Sequence, residues 1–256
     1  MKQLLIILLL TTMHFVTINA QKAGFYELKI YTLENTDQLQ RMDNFLKQAF
    51  IPAMHRAGIA KVGVFKPIET TENTSRKIYV LTPLKSLDQL DKLATLLSAD
   101  KQYQNDGKDY IDAGFDNPPY QRFESILLKA FKEMLETGVP NHLTKASERV
   151  YELRSYQGAT EKYFQKKVHM FNEGGEVALF KELGFQPVFF GSVISGADMP
   201  NLMYLTTFES ETSQSEHWNA FGKHPTWLAI KDLDQYKNTV SKMDKILLRP
   251  TEYSDL

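Results

Sequence analysis

The chain has 256 residues, 24% of them charged and 43% apolar, with a formal net charge of -1. That is the balance of an ordinary globular protein, with room for one large domain or two of roughly 100–130 residues. An even charge leaves no basic field for nucleic acid, 12% aromatics argue against disorder, and the absence of cysteine excludes disulfides, thiolate chemistry and lipid attachment at a lipobox.

The first twenty residues, MKQLLIILLLTTMHFVTINA, carry a lone Lys2, an aliphatic run from Leu4 to Leu10, and Ala20 ahead of Gln21. This is the layout of a secretory signal peptide cleaved after Ala20. The run is far shorter than the roughly twenty residues a membrane span needs. The expectation is a periplasmic or secreted protein with no stable membrane anchor after cleavage, held together by its core alone.

The first strand follows in FYELKIYTL (25–33), where Tyr26, Leu28 and Ile30 alternate with Glu27, Lys29 and Tyr31. Thr36 or Asp37 caps a helix that repeats Leu39, Met42, Phe45, Leu46 and Ala49 at helical spacing and is interrupted at Pro52. Strands over 60–66 and 77–82, a helix over 86–98 and a strand over 122–130 complete the first half. Residues 132–147, with Gly138, Pro140 and Asn141, read as a linker with a short helix at its start.

VYELRSYQG (150–158) then echoes the opening strand, Tyr151 and Leu153 opposing Glu152, Arg154 and Tyr156. A helix with Phe164, Val168, Phe171, Leu179 and Leu183 is broken at Gly174-Gly175 and stops at Gly184. Strands over 187–193, 202–208 and 242–249 and a helix over 210–222 match the first half in order. Internal duplication is therefore expected. Each copy reads β-α-β-β-α-β, giving an α+β protein of two tandem ferredoxin-like domains, 22–131 and 148–256. A four-stranded sheet with helices on one face leaves the other bare. The aliphatic set Tyr26, Leu28, Ile30, Tyr151 and Leu153 is expected under the helices. The mixed set is expected to face inward where the two sheets meet and close an α/β barrel.

These blocks resemble the NIPSNAP family, a branch of the dimeric α/β-barrel superfamily. The carrying residues are YELRSY (151–156), LFKELGFQPV (179–188), LMYLTTFES (202–210) and HWNAFGKHPTW (217–227). The first half keeps YELKIY but has DKQYQNDGKDY (100–110) where the second has the His- and Trp-bearing segment. The resemblance implies a barrel with a central cavity, and relatives that include cofactor-free monooxygenases and haem-degrading enzymes.

Candidate site residues fall in two groups. Glu27, Lys29, Tyr31, Glu152, Arg154 and Tyr156 read either as polar groups converging on a ligand in the lumen or as a layer of paired charges. His217, Trp218, His224 and Trp227 read either as a ligand gate or haem-side segment, or as packing of a helix-turn-helix edge in which Pro225 starts the second helix. His169 and Glu173 share a helix face at i, i+4, but no third ligand stands nearby, so no metal site is expected. Nucleotide, Walker, zinc-protease and nucleophile-elbow motifs are missing from the sequence. The reading is an exported protein binding a small ligand in the barrel lumen, with no cofactor and homo-oligomerisation left open. The alternative is a cofactor-independent monooxygenase or haem-handling enzyme working through Glu152, Arg154 and Tyr156 or His224.

Overall fold

A computed structural model describes residues 24–68 and 76–256; the expected signal segment lies outside the described residues. The first half runs β1 (Phe25–Thr32), α1 (Thr36–Phe45), a π-helical turn (Leu46–Phe50), α2 (Ile51–Arg56), β2 (Gly63–Pro67), β3 (Lys77–Leu84), α3 (Leu87–Ala99), α4 (Lys101–Asp106), α5 (Lys108–Ile111) and β4 (Arg122–Ala130). The second runs β5 (Val150–Gln157), α6 (Glu161–Asn172), α7 (Glu176–Glu182), β6 (Gln186–Ser195), β7 (Asn201–Phe208), α8 (Glu211–Lys223), α9 (Pro225–Ile230) and β8 (Lys242–Pro250).

Local chemistry sets these boundaries. Asn35 caps α1, its side chain accepting from the Gln38 amide, and Ser86, Thr160 and Ser210 cap α3, α6 and α8 in the same way. Pro52 has no amide hydrogen and crowds the carbonyl four residues back, and the π turn just before it widens the helix at that place. Gly175 takes φ 89° between α6 and α7, a conformation that suits glycine, so the second long helix is broken where the Gly-Gly pair stands. The linker carries turns rather than the expected short helix, and residues 101–111, given no element in the sequence reading, form α4 and α5.

Eight strands close into one barrel in the order β1-β3-β2-β8-β5-β7-β6-β4. Each half contributes a four-stranded sheet, 4-1-3-2 and 8-5-7-6. The two sheets join edge to edge at β2–β8, where Lys66 opposes Arg249, and at β4–β6, where Leu128 opposes Val193. All the pairings are antiparallel, and closure leaves no sheet edge open to another chain.

Three cores follow. The lumen is filled by side chains from every strand, among them Tyr26, Leu28, Phe65, Leu128, Tyr151, Leu153, Phe189 and Leu205. Tyr26 packs on Phe189 and Phe65 on Tyr151, with ring centroids 5.0 and 4.7 Å apart, so the two halves interdigitate inside. Leu256 plugs the lower end, held in place by Asp255, which accepts from the Val62 amide at 2.8 Å and hydrogen-bonds His55 Nε2 at 2.8 Å. The other two cores lie between the outer wall and the helices, one per half.

This reverses the expected facing. Tyr26, Leu28, Tyr151 and Leu153 point into the barrel. Glu152 and Tyr156 are buried on the outer wall of the second half, and Tyr31 on that of the first. The reason is size: the interior of an eight-stranded barrel is just wide enough for its own side chains to fill. Six large polar side chains in that space would be desolvated without partners.

Candidate functional site

The polar set on the outer wall of the second half is a closed network. Glu152 is fully buried and accepts three bonds: from Arg154 Nε (2.6 Å), Gln214 Nε2 (2.7 Å) and Trp218 Nε1 (2.5 Å). The Arg154 guanidinium lies 3.5 Å from the Trp218 ring centroid and donates through Nη1 to Tyr156 Oη at 3.1 Å. The Tyr156 and Tyr204 hydroxyls are 2.7 Å apart. Burial opposes the charge on Arg154, but the Tyr204 and Tyr156 hydroxyls and Glu152 outweigh it and hold the guanidinium above its ordinary pKa. Burial, then Tyr156, lifts the Tyr204 hydroxyl well above its usual range. Lys167 donates to Glu176 Oε2 at 2.8 Å, both side chains almost fully buried, with the Phe171 ring 4.8 Å from the ammonium.

Strand β5 supplies Glu152, Arg154 and Tyr156 on one face by its two-residue period. Helix α8 supplies Gln214 and Trp218 on one face by their spacing of four. The pairing lies within this half rather than across the two sheets. In the first half the equivalents are looser. Glu27 accepts from Ser125 Oγ at 2.7 Å and stands 3.5 Å from Lys29 Nζ, and the Tyr31 hydroxyl is 3.4 Å from that of Tyr110.

The aromatic-histidine segment is divided among structural tasks. Trp218 packs edge-on to Phe180 and Phe185, and Trp227 packs on Phe221. His217 Nδ1 hydrogen-bonds the Ser213 carbonyl at 2.7 Å, and His224 caps α9 through the Thr226 amide, 3.6 Å from Glu182. His169 bonds the Tyr236 hydroxyl (2.8 Å) while Glu173 pairs with Lys132 (2.6 Å). The i, i+4 pair thus points to separate partners, and the described residues contain no group of three or more metal-ligating side chains.

The open space is at the other end of the lumen. At the mouth opposite Leu256 a cavity of about 260 Å³ is floored by Ile30, Ile126, Leu153, Met203 and Ile246 and rimmed by Lys77, Glu124, Asp198, Asp244 and Lys245. Every one of these floor residues points inward from a different strand, so the cavity exists only because both sheets meet. Tyr79, Ser155 and Asn201 line it just above the floor. Burial, then Glu124, pushes the Tyr79 hydroxyl up to about 12. Register makes the rim quasi-symmetric: Ile30 opposes Tyr79 and Glu124 in the first half, while Ser155 opposes Met203 and Asp244 in the second. Tyr79 therefore corresponds to Met203, not to Tyr204, which faces outward; aligning IYVLTP with MYLTTF hides this by one residue.

Residues 151–255 match the model of the NIPSNAP family. The match covers most of the second half of the chain and none of the first. No curated protein sequence matches the chain. Among solved structures, a monooxygenase-like protein from Lactobacillus acidophilus shares 12% identity at a TM-score of 0.58, covering 90% of this chain and 94% of that one. A monooxygenase-like protein from Fusobacterium nucleatum shares 7% at 0.56, covering 90% and 93%. An anthrone oxidase-like protein shares 8% at 0.52, covering 91% and 94%. At these identities the likeness is one of fold, the dimeric α/β-barrel type, here closed within a single chain. The matched stretch contributes the Glu152 network and the larger share of the mouth. The segment before it contributes Ile30, Lys77, Tyr79, Glu124 and Ile126, none of which belongs to the matched stretch.

Proposed function

We propose that this protein binds a small, mainly apolar molecule in the open mouth of the barrel and performs no chemistry on it. The carrying observation is the cavity itself: an apolar floor with a few convergent polar groups above it, slightly below the roughly 300–1,000 Å³ of drug-sized sites. The oxygenase alternative has less support. Glu152, Arg154 and Tyr156 are hydrogen-bonded to one another and to Trp218, Gln214 and Tyr204 on the outer wall, so the set named by that alternative does not face the open mouth. A tetrapyrrole is too large for the mouth, and His217 and His224 are engaged elsewhere. The reading takes the two halves as copies of one unit, supported by their matching strand order and rim positions. It also includes export, supported by the apolar run Leu4–Leu10 ahead of Ala20.

Ile30→Trp tests it, because the indole would occupy the cavity from a partly buried position at the mouth. A screen of small apolar compounds by thermal shift should yield binders of the parent protein that no longer shift the variant, whose own melting temperature stays close to the parent's. Binding that survives Ile30→Trp and is lost in Trp218→Phe would move the site to the outer wall.

A further inference from the structure

Two side chains at the mouth are buried yet have spare hydrogen-bonding capacity directed into the cavity. Tyr79 is 5% exposed, and its hydroxyl makes no hydrogen bond among the described residues. Asn201 is 4% exposed; its Oδ1 accepts from Ser155 Oγ at 3.0 Å, which leaves the Nδ2 donor unused among the described residues. The two sit on β3 and β7, which are four places apart in the eight-strand order and therefore on opposite walls. Neither atom is sealed inside the protein as the unpartnered Tyr151 hydroxyl is, so both are accessible from the mouth and open to a ligand's hydrogen bond.

The rim charges refine what that ligand is. Lys77 and Lys245 stand against Glu124, Asp198 and Asp244, and Asp244 is already 2.9 Å from Lys242. Such a mixed, largely exposed ring gives neither an anion nor a cation a strong advantage. The groups beneath it offer hydrogens rather than charge. Burial and Glu124 keep the Tyr79 hydroxyl protonated up to about pH 12, so it remains a donor.

Building on the mouth as the binding site, we propose that the ligand is an uncharged molecule with a carbonyl oxygen, its apolar body on the Ile126–Met203 floor and its oxygen held by Tyr79 and Asn201. Both are orienting residues, one from each half of the chain.

Four probes of similar size separate the possibilities: ε-caprolactam, hexanoate, hexylamine and methylcyclohexane, each titrated while the Met203 and Ile126 methyl resonances are followed. Caprolactam should saturate these signals at the lowest concentration. Tyr79→Phe should weaken it about five-fold, the usual scale for one lost hydrogen bond, with the melting temperature unchanged or higher because no protein partner is lost. Asn201→Asp keeps the acceptor for Ser155, removes the donor, and should weaken caprolactam similarly. Equal affinity for all four probes, preference for either charged one, or unchanged caprolactam binding by Tyr79→Phe would overturn the carbonyl assignment and leave the mouth as the site. Failure of every probe to move Met203 or Ile126 would overturn the mouth itself, and the assignment with it.

Discussion

Arg154→Ala should cost on the order of 3–5 kcal/mol, the scale for stranding a buried charge without its counter-charge. For a chain of this size that lowers the melting temperature by about 6–20 °C. Glu152 has no exposure at all, and Arg154 is its only cationic partner among the described residues. Once the guanidinium is gone, Gln214 and Trp218 still donate, but two neutral donors do not offset a full charge in an aromatic shell. Trp218 also loses the plane stacked against it. The double variant Arg154→Met with Glu152→Gln should recover much of the loss, since neither charge then remains to be desolvated. Differential scanning calorimetry of the two variants checks this. A single variant that melts like the parent would mean that the layer is open to water.

Lys167→Ala should be comparably severe. The Lys167–Glu176 pair ties α6 to α7 across the Gly174-Gly175 break; both side chains are buried, and the ammonium lies against Tyr156, Phe171 and Trp227. Removing the lysine leaves Glu176, at the first position of α7, buried without a cation. A loss of about 3–5 kcal/mol is expected from the stranded carboxylate. Lys167→Met with Glu176→Gln keeps the stem's packing, removes both charges, and should restore most of the stability. Hydrogen exchange adds a second readout, because α7 amides should lose protection before the barrel strands do. Equal melting temperatures for the single and double variants would show that the pair contributes packing alone.

Much of the architecture was legible in the sequence. Period-two alternation in β1 and β5, with the matching blocks of the two halves, located all eight strands to within a few residues, and Pro52 and Gly174-Gly175 marked both helix interruptions. What alternation does not carry is which face turns inward. On β5 both faces are buried: Tyr151 and Leu153 inside, Glu152 and Tyr156 outside. The usual inference that the aliphatic face meets the helices therefore fails. In a closed eight-stranded barrel the narrow lumen takes the apolar face, and the helices bring the partners for the polar one. Gln214 and Trp218, four apart on α8, were the available clue that Glu152 is satisfied from outside; Trp218 was singled out, but as packing or a gate. The mouth was less legible still. Tyr79, Glu124, Asn201 and Asp244 stand in no shared motif, and only strand register brings them to one rim. A one-residue offset between Tyr79 and Tyr204 was enough to hide which of them faces the cavity.

The claim that matters most is location: the ligand enters the barrel mouth, not the layer beneath α8. Methyl and indole NMR on one sample decides it, because Met203, Ile126 and Ile246 report the mouth while the Trp218 indole and Met243 report the outer wall. On adding a compound that raises the melting temperature, the mouth methyls should shift and Trp218 should stay still. Movement of Trp218 and Met243 with unmoved Met203 and Ile126 would contradict the account.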